Sequence, residues 1–166
     1  TGRIGVALTS TGTGAGNAAG SMLEALTAGS RVLHVTGNVN ANLIGEHTGA
    51  YHEVPRQLAM LQAVSQHAMR IETARQARTV LTDAVRLLDT APHGPVSVDW
   101  PIDLQYTADP DAQNKVDERE PAVRTGAQRD VERAAKVLRE AKRPLIWAGG
   151  GARRVADDPG DDGDVG

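Results

Sequence analysis

Apolar and polar positions alternate along this chain in two recognisable ways. Ile4 to Thr9, "IGVALT", and Arg31 to Thr36, "RVLHVT", are short apolar runs of strand length. The first reads as a strand buried on both faces. Between them lies an alanine-rich stretch with Ala19, Met22, Leu23 and Leu26 at helical spacing. Asn17 is placed to cap that helix, and Gly29 to end it near Ala28. Four glycines fall within Gly12 to Gly20, where the first strand turns into the helix. Strand, glycine turn, helix and strand make a βαβ unit, for which a right-handed crossover is expected.

Beyond it, Gly37 to Glu53 is a long polar loop of the kind that is commonly functional. Pro55 suits the first turn of a following helix, with Leu58, Leu61 and Val64 on its buried face as far as about His67. Ala68 to Ile71 reads as a short strand. Thr73 and Gln76 form a Thr-x-x-Gln capping box before a helix whose stripe is Ala77, Val80, Leu81, Ala84, Leu87 and Leu88. Val96 to Trp100 is a strand stopped by Pro101. Asp, Glu, Gln and Pro then dominate a linker over 105–128. A second unit, 129–155, opens with a helix over Arg129 to Ala141 and a strand over Leu145 to Ala148. The segment 156–166 is an acidic Gly/Asp tail expected to be disordered. The pattern predicts an α/β fold, with a parallel sheet between helical layers in residues 1–104 and the first elements of a second α/β domain after the linker.

Composition narrows the chemistry. Among 166 residues there is no phenylalanine, and the aromatics are Tyr51, Trp100, Tyr106 and Trp147, so the core must be aliphatic. The net charge of −3 and the lack of a basic stripe argue against a nucleic acid partner. No apolar run approaches the ~20 residues of a membrane span. No cysteine is present, which excludes thiolate metal sites and suits a cytoplasmic location. The chain starts at Thr1 already near a strand, and the expectation is that it is a piece of a longer protein.

The glycine turn departs from both common phosphate patterns. A dinucleotide fingerprint needs a third glycine where Asn17 stands, and an acid after the second strand, where "VTGNVN" offers none. A P-loop needs a lysine, and the first lysine is Lys115. The glycines serve either a close approach of main chain to a ligand or tight packing of helix on sheet. His52 is a candidate proton relay, against the plainer reading of a solvated loop histidine. Tyr51 either walls a substrate pocket or closes the core. His34, alternating with apolar residues, reads as structural. Gly149 to Gly151 is read as a plain βα turn in preference to a nucleotide site such as one for FAD.

Several motifs in order carry a resemblance. Thr9-Ser10-Thr11-Gly12-Thr13-Gly14-Ala15-Gly16-Asn17 is similar to the T-S-G-P-G-A-T-N of the pyrimidine-binding domain in thiamine-diphosphate enzymes. Val35-Thr36-Gly37-Asn38 resembles I-T-G-Q, Leu43-Ile44-Gly45 matches L-I-G, and Ala50-Tyr51-His52-Glu53 resembles A-F-Q-E. "GPVSVDWPIDL", Gly94 to Leu104, resembles the segment that closes that domain. The nearest branch is that of acetolactate synthase and related 2-oxo acid decarboxylases and carboligases.

The resemblance implies that Gly12, Thr13, Gly14 and Asn17 lie beside the aminopyrimidine ring, and that Tyr51, His52 and Asn38 line the substrate pocket. His52 would then be an auxiliary catalytic group. It implies a partner subunit across the cofactor, hence at least a homodimer, and Mg²⁺ and diphosphate ligands on a domain outside this chain. It places the activating glutamate before Thr1, so the chain alone is expected to be inactive. Thr13, Asn38 and His52 depart from the family's Pro, Gln and Gln, which leaves the 2-oxo acid and the acyl acceptor open. The alternatives are a Rossmann-type nucleotide- or NAD-binding module and a non-catalytic paralogue of the thiamine-diphosphate enzymes.

Overall fold

The computed structural model describes residues 3–108 and 126–149, which form two compact units. The first contains β1 (Gly5–Thr9), α1 (Thr13–Thr27), β2 (Val32–Asn38), α2 (Gln57–Val64), β3 (His67–Arg70), α3 (Ala77–Asp89), β4 (Val96–Pro101) and the short α4 (Ile102–Gln105). Its four strands form one parallel sheet in the order β1-β2-β4-β3. The predicted α/β class is therefore the observed one.

The two faces of the sheet differ in chemistry. In a strand, alternate residues point to opposite sides. On one side, Val96, Val98, Leu33, Val35 and Met69 pack with Ala84, Leu88, Val80 and Leu81 of α3. The other side presents His34, Thr36 and Asn38 from β2 and Ser97 and Asp99 from β4, all buried. Helix α2 meets these polar groups through Gln57 and, just past its end, Ser65. Helix α1 packs beside α2. The alternation in "VLHVTGN" and "VSVDWP" thus separates an apolar layer from a buried polar one, not core from solvent.

Strand β1 differs from expectation. It stands at the sheet edge, and Val6 and Leu8 are 65% and 76% exposed. Their partners in register, Leu33 and Val35, lie on the α3 side. Helix α3 packs on β2, β3 and β4 and leaves this part of β1 uncovered among the described residues.

The starts of the helices also shift. Helix α1 begins at Thr13 with Gly12 as its cap residue, so Asn17 lies inside the helix and is not its cap. The physical reason is the backbone of Gly12, whose φ of +60° completes the turn five residues earlier than Asn17 would. At the other end Gly29 adopts φ +61°, Ser30 N–H donates to Ala25 O, and Gly29 N–H donates to Leu26 O. That is a Schellman closure, as a terminal glycine favours.

Pro55 precedes α2 instead of entering it, because the chain is still turning until Gln57. The Thr73 box is half formed. Thr73 precedes a single 3-10 turn, Ala74–Gln76, without a side-chain cap, and Gln76 Oε1 accepts from Glu72 N–H instead.

The second unit holds α5 (Gln128–Glu140). The strand expected over Leu145 to Ala148 is absent; these residues carry no regular structure, and Leu145, Ile146 and Trp147 are exposed. A strand exists only against a partner, and the described residues of this unit supply none. Most of the predicted linker, the later glycines of the second turn and the acidic tail lie outside the described residues.

Candidate functional site

The glycine turn leaves the end of β1 at Ser10 and is fastened on its inner side. Thr36 Oγ1 donates to Ser10 O at 3.0 Å, so β2 holds the entry to the turn. Thr11 lies over Gly37, near the end of β2. Gly12 N–H donates to Gln57 Oε1 at 2.9 Å. A Cβ on Gly12 would overlap the main-chain carbonyl of His52, and one on Gly14 would overlap Ser10 Oγ. Gly12 is buried, and both its N–H and its missing side chain are accounted for by protein groups. The expected close approach of main chain is real here, and at Gly12 the approaching group is the 50–53 loop.

The outer side of the turn is open. Among the described residues, Thr13, Gly16 and Asn17 are exposed, and a Cβ on Gly16 would meet nothing within 4 Å. Next to the turn, Tyr51 and His52 stack with ring centroids 3.8 Å apart. Tyr51 is 87% exposed, so it does not close the core. His52 adopts φ +62°, an uncommon conformation for a residue with a side chain. Glu53 closes the loop by accepting Ala50 N–H at Oε2, while its Oε1 is buried and has no hydrogen-bond partner among the described residues. Gly12, Thr13, Gly14 and Asn17 are therefore continuous along the turn, and His52 and Tyr51 are brought to it from forty residues away in the sequence.

Asn38 stands apart from that group. It is 2% exposed, and its Nδ2 donates to both carboxylate oxygens of Asp99 at 2.9 and 3.0 Å. Its Oδ1 accepts Val39 N–H. Its amide is spent inside the domain, beneath the turn and not in a surface pocket with Tyr51.

Asp99 is the centre of a buried cluster that the sequence reading did not single out. Besides Asn38 it accepts from Gln57 Nε2 at 3.0 Å and from Arg70 Nε at 2.8 Å. Gln57 Nε2 also donates to Gly37 O at 2.7 Å. A buried carboxylate is tolerated when charge and hydrogen bonds compensate it, as here. The signal was present: Ser97 and Asp99 sit at alternate positions of an otherwise apolar strand, and Gln57 lies one helical turn before buried Leu61.

A second polar chain crosses the same face. His34 Nε2 pairs with Thr9 Oγ1 at 2.9 Å, His34 Nδ1 pairs with Ser97 Oγ at 3.1 Å, and Ser97 Oγ pairs with Ser65 Oγ at 2.7 Å. Burial holds the His34 imidazole below the ordinary histidine value of 6.5, because the charged form loses its water. His34 is structural, joining edge strand β1 to β4 through β2.

Comparison with known proteins gives this geometry a context. Residues 1–73 match the model of the thiamine pyrophosphate enzyme N-terminal TPP binding domain. The acetolactate synthase isozyme 2 large subunit of Escherichia coli is 31% identical over 151 residues, covering 91% of this chain and 27% of that protein. The acetolactate synthase large subunit of Corynebacterium glutamicum is 32% identical over 154 residues, covering 91% and 24%. The chloroplastic acetolactate synthase 1 of rice, Oryza sativa subsp. japonica, is 28% identical over 161 residues, covering 95% and 24%. The chain thus spans about a quarter of the length of the relatives it matches. With a parallel α/β sheet, a glycine turn at the end of its first described strand and this similarity along nearly its whole length, the chain belongs to the thiamine-diphosphate-dependent, acetolactate synthase-like family.

Proposed function

We propose that this chain holds the aminopyrimidine side of thiamine diphosphate in an enzyme that decarboxylates or ligates a 2-oxo acid. The observation that carries the reading is the turn itself. Its outer side at Thr13, Gly16 and Asn17 is open and poor in side-chain bulk, and exposed Tyr51, stacked on half-buried His52, stands next to it. Bare main chain beside Tyr51 and His52 suits a flat heterocycle. The unpartnered buried oxygen of Glu53 suits a ligand that carries N–H donors.

The residues then divide the work. Gly16 leaves room for the ring, Gly14 lets the main chain close over Ser10, and Thr13 and Asn17 offer hydroxyl and amide groups at the ring edge. Gly12 is the hinge that sets them in place and is not itself a contact. Tyr51 walls the substrate side. His52 is an auxiliary proton carrier, its ring oriented by the stack on Tyr51. Asn38 serves the site from below by orienting Asp99. When bound, thiamine diphosphate supplies the electron sink that lets a 2-oxo acid lose CO₂.

In this reading the activating glutamate, the diphosphate ligands and Mg²⁺ belong to parts of the enzyme other than the described residues. A second subunit closes the cofactor site, and the 166-residue chain alone is inactive. Isothermal titration of the whole protein with thiamine diphosphate and Mg²⁺, and separately with NAD, tests the reading. Saturable binding of thiamine diphosphate supports it. Binding of NAD alone would assign the turn to a nucleotide-binding module instead, and binding without turnover of any 2-oxo acid would assign a non-catalytic paralogue.

A further inference from the structure

Gln57 is the first residue of α2 and is wholly buried. An amide in that position costs free energy unless its hydrogen bonds are made. They are made, and all of them point away from α2. Oε1 accepts Gly12 N–H at 2.9 Å, and Nε2 donates to Gly37 O at 2.7 Å and to Asp99 Oδ1 at 3.0 Å. Both amide hydrogens and the acceptor oxygen are used.

The orientation of that amide is determined. Turned over, it would set NH₂ against Gly12 N–H and its oxygen against the Gly37 carbonyl and the Asp99 carboxylate. Those three contacts would each become repulsive. Gln57 therefore reads three groups at once: the cap residue of α1, the end of β2 and the central carboxylate of β4. Asp99 in turn is held by Asn38 and by Arg70 of β3. For filling space alone leucine would serve this position, as it does at Leu61 one turn later.

We propose that Gln57 is a positioning residue for the cofactor-facing turn, fixing the main chain of Gly12 so that α1 presents Thr13, Gly16 and Asn17 at a set distance from Tyr51 and His52. The inference rests on the reading that this turn meets the thiamine ring. Gln57 itself touches no ligand. It acts through Gly12, and its influence should appear in cofactor affinity.

The test uses the whole protein that carries this chain, with unfolding midpoints measured beside every affinity. Gln57→Met keeps the volume and removes the hydrogen bonds, and it should weaken thiamine diphosphate binding by about tenfold. Gln57→Glu keeps an acceptor for Gly12 N–H but sets a carboxylate against Asp99, whose charged partner in the cluster is Arg70. Once protonated, the introduced carboxyl group regains one donor and no longer repels Asp99. The affinity of Gln57→Glu relative to the unsubstituted protein should therefore recover as the pH is lowered, while that of Gln57→Met stays flat.

If the unsubstituted protein fails to bind thiamine diphosphate, the functional reading fails. If it binds and both variants match it at every pH, only the role of Gln57 fails. Should Gln57→Met not fold, amide hydrogen exchange at Gly12 in the unsubstituted, cofactor-free protein decides. A protected amide supports the clamp, and exchange at the rate of an open chain overturns it.

Discussion

The main-chain carbonyl of His52 occupies the space that a side chain on Gly12 would fill. This contact joins two loops that are forty residues apart and that carry most of the candidate site. It also makes Gly12 doubly constrained, because its φ of +60° is unfavourable for any residue with a Cβ. Gly12→Ala should lose roughly 3 kcal/mol of stability by combining backbone strain with overlap. Urea denaturation measures it, and a loss below about 0.5 kcal/mol would show that the two loops part easily.

Asp99 holds four donor contacts in the buried cluster, two N–H···O contacts from Asn38 and one each from Gln57 and Arg70. Asp99→Asn turns one oxygen into a donor facing donors and leaves Arg70 without its counter-charge. The Arg70 side chain is 22% exposed, so water offsets part of the loss, and the expected cost is about 2–4 kcal/mol. A double-mutant cycle with Arg70→Met should return a favourable coupling between the two residues. Additivity within about 0.3 kcal/mol would mean that the pair is not coupled.

His34 predicts a pH dependence with a definite sign. Its folded-state pKa lies below 6.5 through burial, while the unfolded chain titrates near the ordinary value. As the pH falls below about 6.5, the unfolded state takes up a proton that the folded state refuses, so stability falls with acidification. The slope persists until the pH passes the lowered folded value. Asp99 and Arg70 are charged groups on the same face of the sheet, and the direct partners of the ring are the Thr9 and Ser97 hydroxyls. Replacing His34 by Gln should flatten the change in unfolding free energy between about pH 7.5 and pH 5.5, relative to the unsubstituted chain. Parallel curves would assign that slope to other groups.

Among the described residues, Val6 and Leu8 expose an apolar strip on an edge strand with no neighbouring strand on one side. Such edges recruit further copies of the chain. The 166-residue chain should self-associate, and Val6→Thr with Leu8→Thr should reduce that association while changing stability by no more than about 0.5 kcal/mol each. Sedimentation velocity against concentration is the measurement. An unsubstituted chain that stays monomeric at high concentration would refute the expectation.

His52 keeps an uncommon backbone conformation that Asn also tolerates. His52→Asn should therefore fold normally and remove only the imidazole. If the ring carries a proton in turnover, kcat of the whole enzyme falls by roughly a hundredfold with cofactor affinity little changed. Unchanged turnover would leave His52 as the residue that packs the loop on Gly12.

From β1 to β4 the order of strands and α-helices was legible in the sequence, because apolar spacing reports which segments form elements with a face to bury, whereas the strand expected over Leu145 to Ala148 did not form. The motifs from Thr9 to Glu53 likewise identified the family, since several short patterns at consistent distances rarely coincide. What the linear pattern could not show was which polar groups would meet. "VLHVTGN" and "VSVDWP" look like strands with one wetted face, yet parallel packing under α2 turns His34, Asn38, Ser97 and Asp99 inward. Asn17 has the chemistry of a helix cap, but the backbone of Gly12 starts the helix earlier.

The exposure of β1 was equally invisible, because it depends on how far α3 reaches across the sheet. The clamp of Gln57 on Gly12 spans 45 residues and exists only once two loops and three strands are assembled. Local spacing determines secondary structure because its energetics are local. Hydrogen bonds between distant residues form only after chain entropy has been overcome by the fold as a whole, so tertiary structure alone decided them.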